Sequence, residues 1–158
     1  MTGHQKLKPL IIGKTKTPRC FKHILPHAKN SWITSEIWEK WVQKLDKRMI
    51  AECRKIALVF DNCPAHSKEI IPKLKNVTVF YLPPNTTSKL QPMEQRVIKN
   101  FKIYYRKRTV RKVITALKNN PSMPKINLRE SISEISKAWN YDVTDHTIRN
   151  SFTKQEWR

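Results

Sequence analysis

The chain has 158 residues, enough for one domain with a real core. Its 32 Lys and Arg stand against 12 Asp and Glu, a net charge of +20 that implies a polyanionic partner, nucleic acid before any other acidic surface. Five Trp and several Val/Ile-rich runs exclude a disordered chain, no stretch approaches the roughly 20 apolar residues of a membrane span, and the first residues lack a signal-peptide core.

Residues 9–13 read as a short buried strand ended by Gly13, residues 14–19 as a basic turn, and residues 20–24 as a second strand. The opening therefore predicts a hairpin. Residues 34–49 carry a helical pattern. Thr34 or Ser35 caps it, Glu36 and Glu39 favour its start, and Ile37, Trp38, Trp41, Val42 and Leu45 recur at helical steps. Residues 55–60 form an apolar run with the look of a central strand covered on both faces. A short helix limited by Pro72 is predicted at 67–74, a strand at 76–82 and a loop at 83–88. A long basic helix follows from Pro92 to Asn119, with Pro suited to its first turn, and two further helices are predicted at 128–139 and 145–152. Strand–helix–strand–helix order implies an α/β layer fold containing parallel strands.

Asp61 closes the apolar run Leu58-Val59-Phe60 and opens Asp61-Asn62-Cys63-Pro64-Ala65-His66. An acid at the carboxyl end of a sheet strand lies where open α/β sheets bind ligands, but Asp-Asn also begins turns. His66 is either a base or orienting group, or a turn residue packed by Pro64. Glu94 lies 33 positions after Asp61 (94 − 61), just inside a helix, where the helix dipole alone favours an acid. Together the two carboxylates suit Mg²⁺, a hard cation held by few carboxylates plus water and phosphates. Cys63 and His66 have the spacing of a zinc half-site, but no second pair follows at usable spacing. The three cysteines, Cys20, Cys53 and Cys63, are too few and scattered for a disulfide framework, which points to a reducing compartment.

The runs Val59-Phe60-Asp61-Asn62-Cys63-Pro64-Ala65-His66 and Tyr81-Leu82-Pro83-Pro84-Asn85-Thr86-Thr87-Ser88-Lys89-Leu90-Gln91-Pro92-Met93-Glu94 resemble the DDE transposase domain of the pogo/Tigger group, with its Jerky and centromere-protein-B relatives. The likeness extends through Pro9–Lys14, Pro18–Lys22, Trp32–Thr34, Lys102–Arg106 and Ala138-Trp139, nearly the whole chain. It implies an RNase H-like fold and a cut-and-paste nuclease using three carboxylates with Mg²⁺ or Mn²⁺. Asp61 falls on the family's second acidic position. Glu94 falls on the third, where pogo-type elements usually have Asp, and Arg96 stands where Tigger-like sequences commonly have Gly. The family's first Asp precedes the region matching residues 8–12, whereas this chain has no acid before Glu36 and its Asp46 lies in a helical pattern. The chain is thus expected to be the distal part of a transposase domain, without the first sheet strand and without the amino-terminal DNA-binding helices.

Arg96, Lys99, Lys102 and Arg106 follow three-, three- and four-residue steps and share a face of the basic helix. That stripe is the candidate DNA contact, opposite a core face of Val97, Ile98, Phe101, Tyr105, Val113 and Leu117. Lys14, Lys16 and Arg19 form a second, smaller basic patch. Trp32, Trp38, Trp41 and Trp139 are expected to pack in the core or between helices.

The expectation is an α/β, RNase H-like mixed sheet flanked by helices, with early strands missing and a helical C-terminal part. Residues 1–119 form the partial endonuclease domain and 120–158 its helical extension. Function is expected to be DNA or other nucleic-acid binding in the nucleus by a transposable-element-derived protein, without catalysis of its own and with Mg²⁺ or Mn²⁺ held weakly or not at all by Asp61 and Glu94. The alternatives are a Mg²⁺-dependent endonuclease completed by a longer product or a partner chain, and a remnant with no selected role. No membrane contact is expected, and the oligomeric state stays open.

Overall fold

The computed structural model describes residues 5–14, 32–86, 90–91, 93–119 and 122–153. They fall into two compact units, one drawn from residues 11–18 and 23–91, the other from 1–10, 19–22 and 92–158. The described residues make a mixed α/β protein with a two-stranded parallel sheet and four α-helices.

The sheet unit begins with α1, Ser35–Ala51, capped by the Thr34 side chain, which accepts the Ile37 N–H at 3.4 Å. Trp38, Val42, Leu45 and Met49 recur at four, three and four and are all buried. With Val77 and Val79 they form the core, against which Ile56, Leu58 and Phe60 are packed. Each such side chain stabilises the fold by roughly 1.5–3 kcal/mol through removal from water. Residues 50–54 close the helix in a Schellman arrangement: the Cys53 N–H donates to Ile50 O at 3.0 Å and the Arg54 N–H to Met49 O at 2.9 Å. Cys53 takes the left-handed position, φ 50°, where glycine is usual.

Strands β1, Ile56–Phe60, and β2, Val77–Tyr81, run parallel with Ile56 opposite Val77 and Phe60 opposite Tyr81. Parallel pairing matches the sequence reading; the depth of the sheet does not. Along β1 and β2 half-buried or buried residues alternate with exposed ones, Val59 being 37% and Phe80 53% exposed. Only the face toward α1 is covered among the described residues. An unbroken apolar run has the same composition whether one or both faces are covered. The connection between the strands holds no α-helix; Pro72 sits in a single 3₁₀ turn, Ile71–Lys73, in place of the helix predicted at 67–74.

Asp46 ties this unit together. Its buried carboxylate accepts the N–H groups of Lys75 (3.2 Å), Asn76 (2.7 Å) and Val77 (2.9 Å), at the entry to β2. The Asn76 side-chain amide then donates to Met49 O and Arg54 O, and the Asn76 main-chain carbonyl accepts the Ile56 N–H, so both strand starts are fixed to the end of α1.

The helical unit opens with a π-helical turn, Met93–Val97, that runs into α2, Ile98–Asn119. Helix α3, Leu128–Lys137, ends in a second π turn, Ala138–Asp142, followed by α4, Asp145–Thr153. Asn127 caps α3 reciprocally: its carbonyl accepts the Glu130 N–H and its amide donates to the Glu130 carboxylate, both at 2.9 Å. Val97, Ala138, Val143 and Ser151 are buried here, and Trp139 meets Phe101 edge to face at 5.9 Å. Pro92 lies outside the described residues.

The strand predicted at 9–13 is not formed: residues 5–12 have no regular structure and Gly13 makes one isolated bridge. The Lys6 ammonium donates to the carbonyls of Trp139, Asn140 and Val143 at 2.9, 3.0 and 2.6 Å, and Leu7 O accepts the Trp139 indole N–H at 2.8 Å. Leu7 thus bonds a side chain where a ladder would bond a strand, and Pro9 has no N–H to give. Of the turn predicted at 14–19 only Lys14, which is exposed, is described, and the rest of it, with Lys16 and Arg19, and the strand at 20–24 lie outside the described residues. Trp32, expected to pack, is 78% exposed. No described helix is long and apolar enough to cross a membrane.

Candidate acidic site and nucleic-acid interface

Asp61 follows the last residue of β1, and the turn after it carries His66 back toward it. The His66 N–H donates to Cys63 O at 2.9 Å, closing the turn over Pro64 and Ala65. The His66 ring is only 12% exposed and lies against two aromatic rings, Trp38 at 4.7 Å and Phe60 at 5.2 Å. Its backbone is held as well: the Tyr81 hydroxyl donates to His66 O at 3.1 Å and Ser67 O at 3.3 Å, and the Trp38 indole N–H to Ser67 O at 3.2 Å. Burial pushes the Tyr81 phenol above its ordinary range, which keeps it a donor. The Lys68 ammonium covers its ring at 5.2 Å.

His66 Nδ1 stands 3.3 Å from the Asp61 carbonyl oxygen and 2.8 Å from Asp61 Oδ1. The short contact to Oδ1 is off the direction of a ring N–H, so this buried oxygen has no aligned hydrogen-bond donor among the described residues. The Asp61 side chain as a whole remains 39% exposed. A carboxylate with one unsatisfied oxygen beside a strand end fits one ligand position of a hard cation, which Mg²⁺ fills with few protein carboxylates and several waters. The described residues contain no group of three or more His, Cys, Asp or Glu side chains placed to hold a metal together. Asn62 is exposed, and Cys63 is a half-buried free thiol.

Glu94 is exposed in the Met93–Val97 turn and belongs to the helical unit, whereas Asp61 belongs to the sheet unit. Asp46, the other acid weighed in the sequence, is engaged by three backbone donors, a structural part that its place in a helical pattern did not reveal.

Arg96, Lys99, Lys102 and Arg106 are all exposed, and none is ion-paired among the described residues. Arg96 sits in the π turn, so its step to Lys99 is not the α-helical one; Lys99, Lys102 and Arg106 share α2 proper. Other cations of α2 are engaged within the unit. Arg108 forks onto Asp142 at 2.5 and 3.0 Å and approaches Glu134 at 3.8 Å, and Lys112 pairs with Glu130 at 2.8 Å. The Arg108 hydrogen bond holds the Asp142 carboxyl below its ordinary value, and Lys112 does the same for Glu130. Lys107 and Arg111 line a cavity of about 260 Å³ with Tyr104, Arg108, Glu134 and Asp142. On the expected core face of α2 only Val97, in the preceding turn, is buried, while Leu117 is 37% exposed.

The family model described as DDE superfamily endonuclease matches residues 1–152. Tigger transposable element-derived protein 4 of Mus musculus is 34% identical over 164 residues, covering 100% of this chain and 31% of the relative. Major centromere autoantigen B of Homo sapiens is 32% identical over 142 residues, 87% of this chain and 23% of that protein. ARS-binding protein 1 of Schizosaccharomyces pombe is 30% identical over 169 residues, 96% of this chain and 32% of the relative. The chain thus spans about a third or less of the length of these curated relatives. No solved structure matches it at a significant level.

Proposed function

The chain belongs to the DDE superfamily endonuclease family, and from that premise we propose that it is a transposable-element-derived DNA-binding segment of RNase H-like ancestry. The observation that carries this reading is the exposed row Arg96, Lys99, Lys102 and Arg106, none ion-paired among the described residues, set beside cations of α2 that are engaged with acids. Such a row contacts phosphates and reads no bases. A relative named for binding ARS supports DNA as the polyanion, and a DNA partner implies a nuclear location. Four phosphate contacts give a slope of log K against log salt of roughly −3 to −4 on duplex DNA. Fluorescence anisotropy between 50 and 300 mM salt checks this, and salt-independent or absent binding refutes it.

Catalysis by these residues alone is not part of the proposal, since phosphoryl transfer of this class needs a fuller carboxylate set than Asp61 and Glu94 provide. The unsatisfied Asp61 Oδ1 favours a second reading, a Mg²⁺- or Mn²⁺-dependent endonuclease completed by another segment or chain. Nicking of supercoiled plasmid that requires the metal and disappears in Asp61→Asn would establish that second reading in place of the first.

A further inference from the structure

We propose that His66 is the positioning residue of Asp61, holding its main chain through Nδ1 and bounding its carboxylate on one side with the imidazole ring. The inference rests on reading Asp61 as the segment's metal ligand and says what keeps that ligand in place.

A buried imidazole needs a polar partner for each nitrogen it removes from water. The edge of the His66 ring that carries Nδ1 faces Asp61, 3.3 Å from its carbonyl and 2.8 Å from Oδ1. A carbonyl oxygen can only accept, so this pairing places the proton on Nδ1. Packing alone does not ask for this. The slot between Trp38 and Phe60, with ring centroids at 4.7 and 5.2 Å, would take a phenyl ring equally well. What an imidazole adds is a nitrogen at the Asp61 side.

The ring is in turn denied movement. Tyr81 and Trp38 donate to the carbonyls of His66 and Ser67, and the turn hydrogen bond to Cys63 O closes the backbone beneath. Tyr81 pairs across the sheet with Phe60, so the residues that grip His66 come from α1, β1 and β2 together. Asp61 stands at an exposed strand end, where a carboxylate would otherwise sample several rotamers. Against His66 the enclosed Oδ1 lies 2.8 Å from Nδ1, so that side of the carboxylate is closed and the exposed remainder of the side chain is left to meet a cation. Partners that orient a metal ligand in this way typically change metal affinity by about 10- to 100-fold when removed.

The test compares wild type with Asp61→Asn, His66→Phe, His66→Asn and His66→Gln, with Mn²⁺ binding read from the electron paramagnetic resonance of the free ion. Asn carries its amide N–H near the place of Nδ1, and Gln near that of Nε2. The Mn²⁺ dissociation constant is expected to rise roughly 10- to 100-fold in His66→Phe and His66→Gln and to stay within about 3-fold of wild type in His66→Asn. Equal affinity in wild type and His66→Phe, or equal loss in the Asn and Gln variants, overturns the inference. If His66→Phe does not fold, the Asn–Gln comparison decides.

A readout without metal is the ¹⁵N spectrum of the histidine rings at pH 8. His66 is expected as the Nδ1–H tautomer, with a resonance that moves in Asp61→Asn. The Nε2–H tautomer, or a resonance indifferent to Asp61→Asn, overturns the inference. If wild type and Asp61→Asn bind Mn²⁺ alike, the metal reading of Asp61 falls, and the ¹⁵N result still decides whether His66 holds it.

Discussion

Asp46 and Asp61 are the same residue type put to opposite uses. Asp46 is buried and accepts three backbone N–H groups, while Asp61 Oδ1 has no aligned donor among the described residues. Truncating Asp46 leaves three donors unsatisfied, so Asp46→Ala is expected to cost roughly 3 kcal/mol, whereas Asp61→Asn should cost under about 1 kcal/mol. Urea unfolding monitored by tryptophan fluorescence checks both. Asp142 supplies a pH dependence. Arg108 depresses its folded pKa below the ordinary value of 3.8, so the pair's stabilisation is present above that value and is lost as pH falls through it to the lower folded value. In thermal melts the stability gap between wild type and Asp142→Asn should therefore be constant from pH 5 to 7 and shrink below about pH 4.

At the scale of elements, α1 was legible because Ile37, Trp38, Trp41, Val42 and Leu45 repeat at helical spacing with Thr34 before them. Its end was not. Cys53 holds a left-handed position without being glycine, and Cys53→Gly is expected to stabilise the protein by about 0.5–1 kcal/mol, measured by the urea midpoint. The basic helix was legible as a helix, but not the division of its cations. Arg108 and Asp142 are 34 positions apart, and no local pattern marks such a pair. The division has a measurable consequence: Lys99→Ala and Lys102→Ala should each reduce the salt slope of DNA binding by about 1, while Lys112→Ala, which breaks the pair with Glu130, should leave the slope unchanged. The π turn at Met93–Val97 was also invisible, since its residues fit an α-helix equally well.

For the whole molecule, the family was written in contiguous words around Asp61 and Glu94, and the family match over residues 1–152 agrees with that reading. Contacts made across distant segments were not. The strand expected at 9–13 had the right composition, yet its neighbour Leu7 bonds Trp139, 132 positions away. The Trp38–His66 contact likewise joins a helix to a turn with no shared motif. Net charge acts at this scale only. With +20 the folded chain repels itself, and added salt screens that repulsion. Raising salt from about 20 to 300 mM should therefore raise the melting temperature while it weakens DNA binding. Melting curves and anisotropy on one preparation test this opposition of sign.

The Lys6 ammonium directs its hydrogens to three main-chain carbonyls, two within the second π turn and one just after it. It stands over the Trp139 ring at 5.8 Å as well. Among the described lysines this one serves as an internal fastener, latching residues near the start of the chain to a turn more than a hundred positions away. Acylating reagents should therefore label Lys6 slowly, and a protein acylated there would release its opening segment to proteases while keeping the exposed cations of α2.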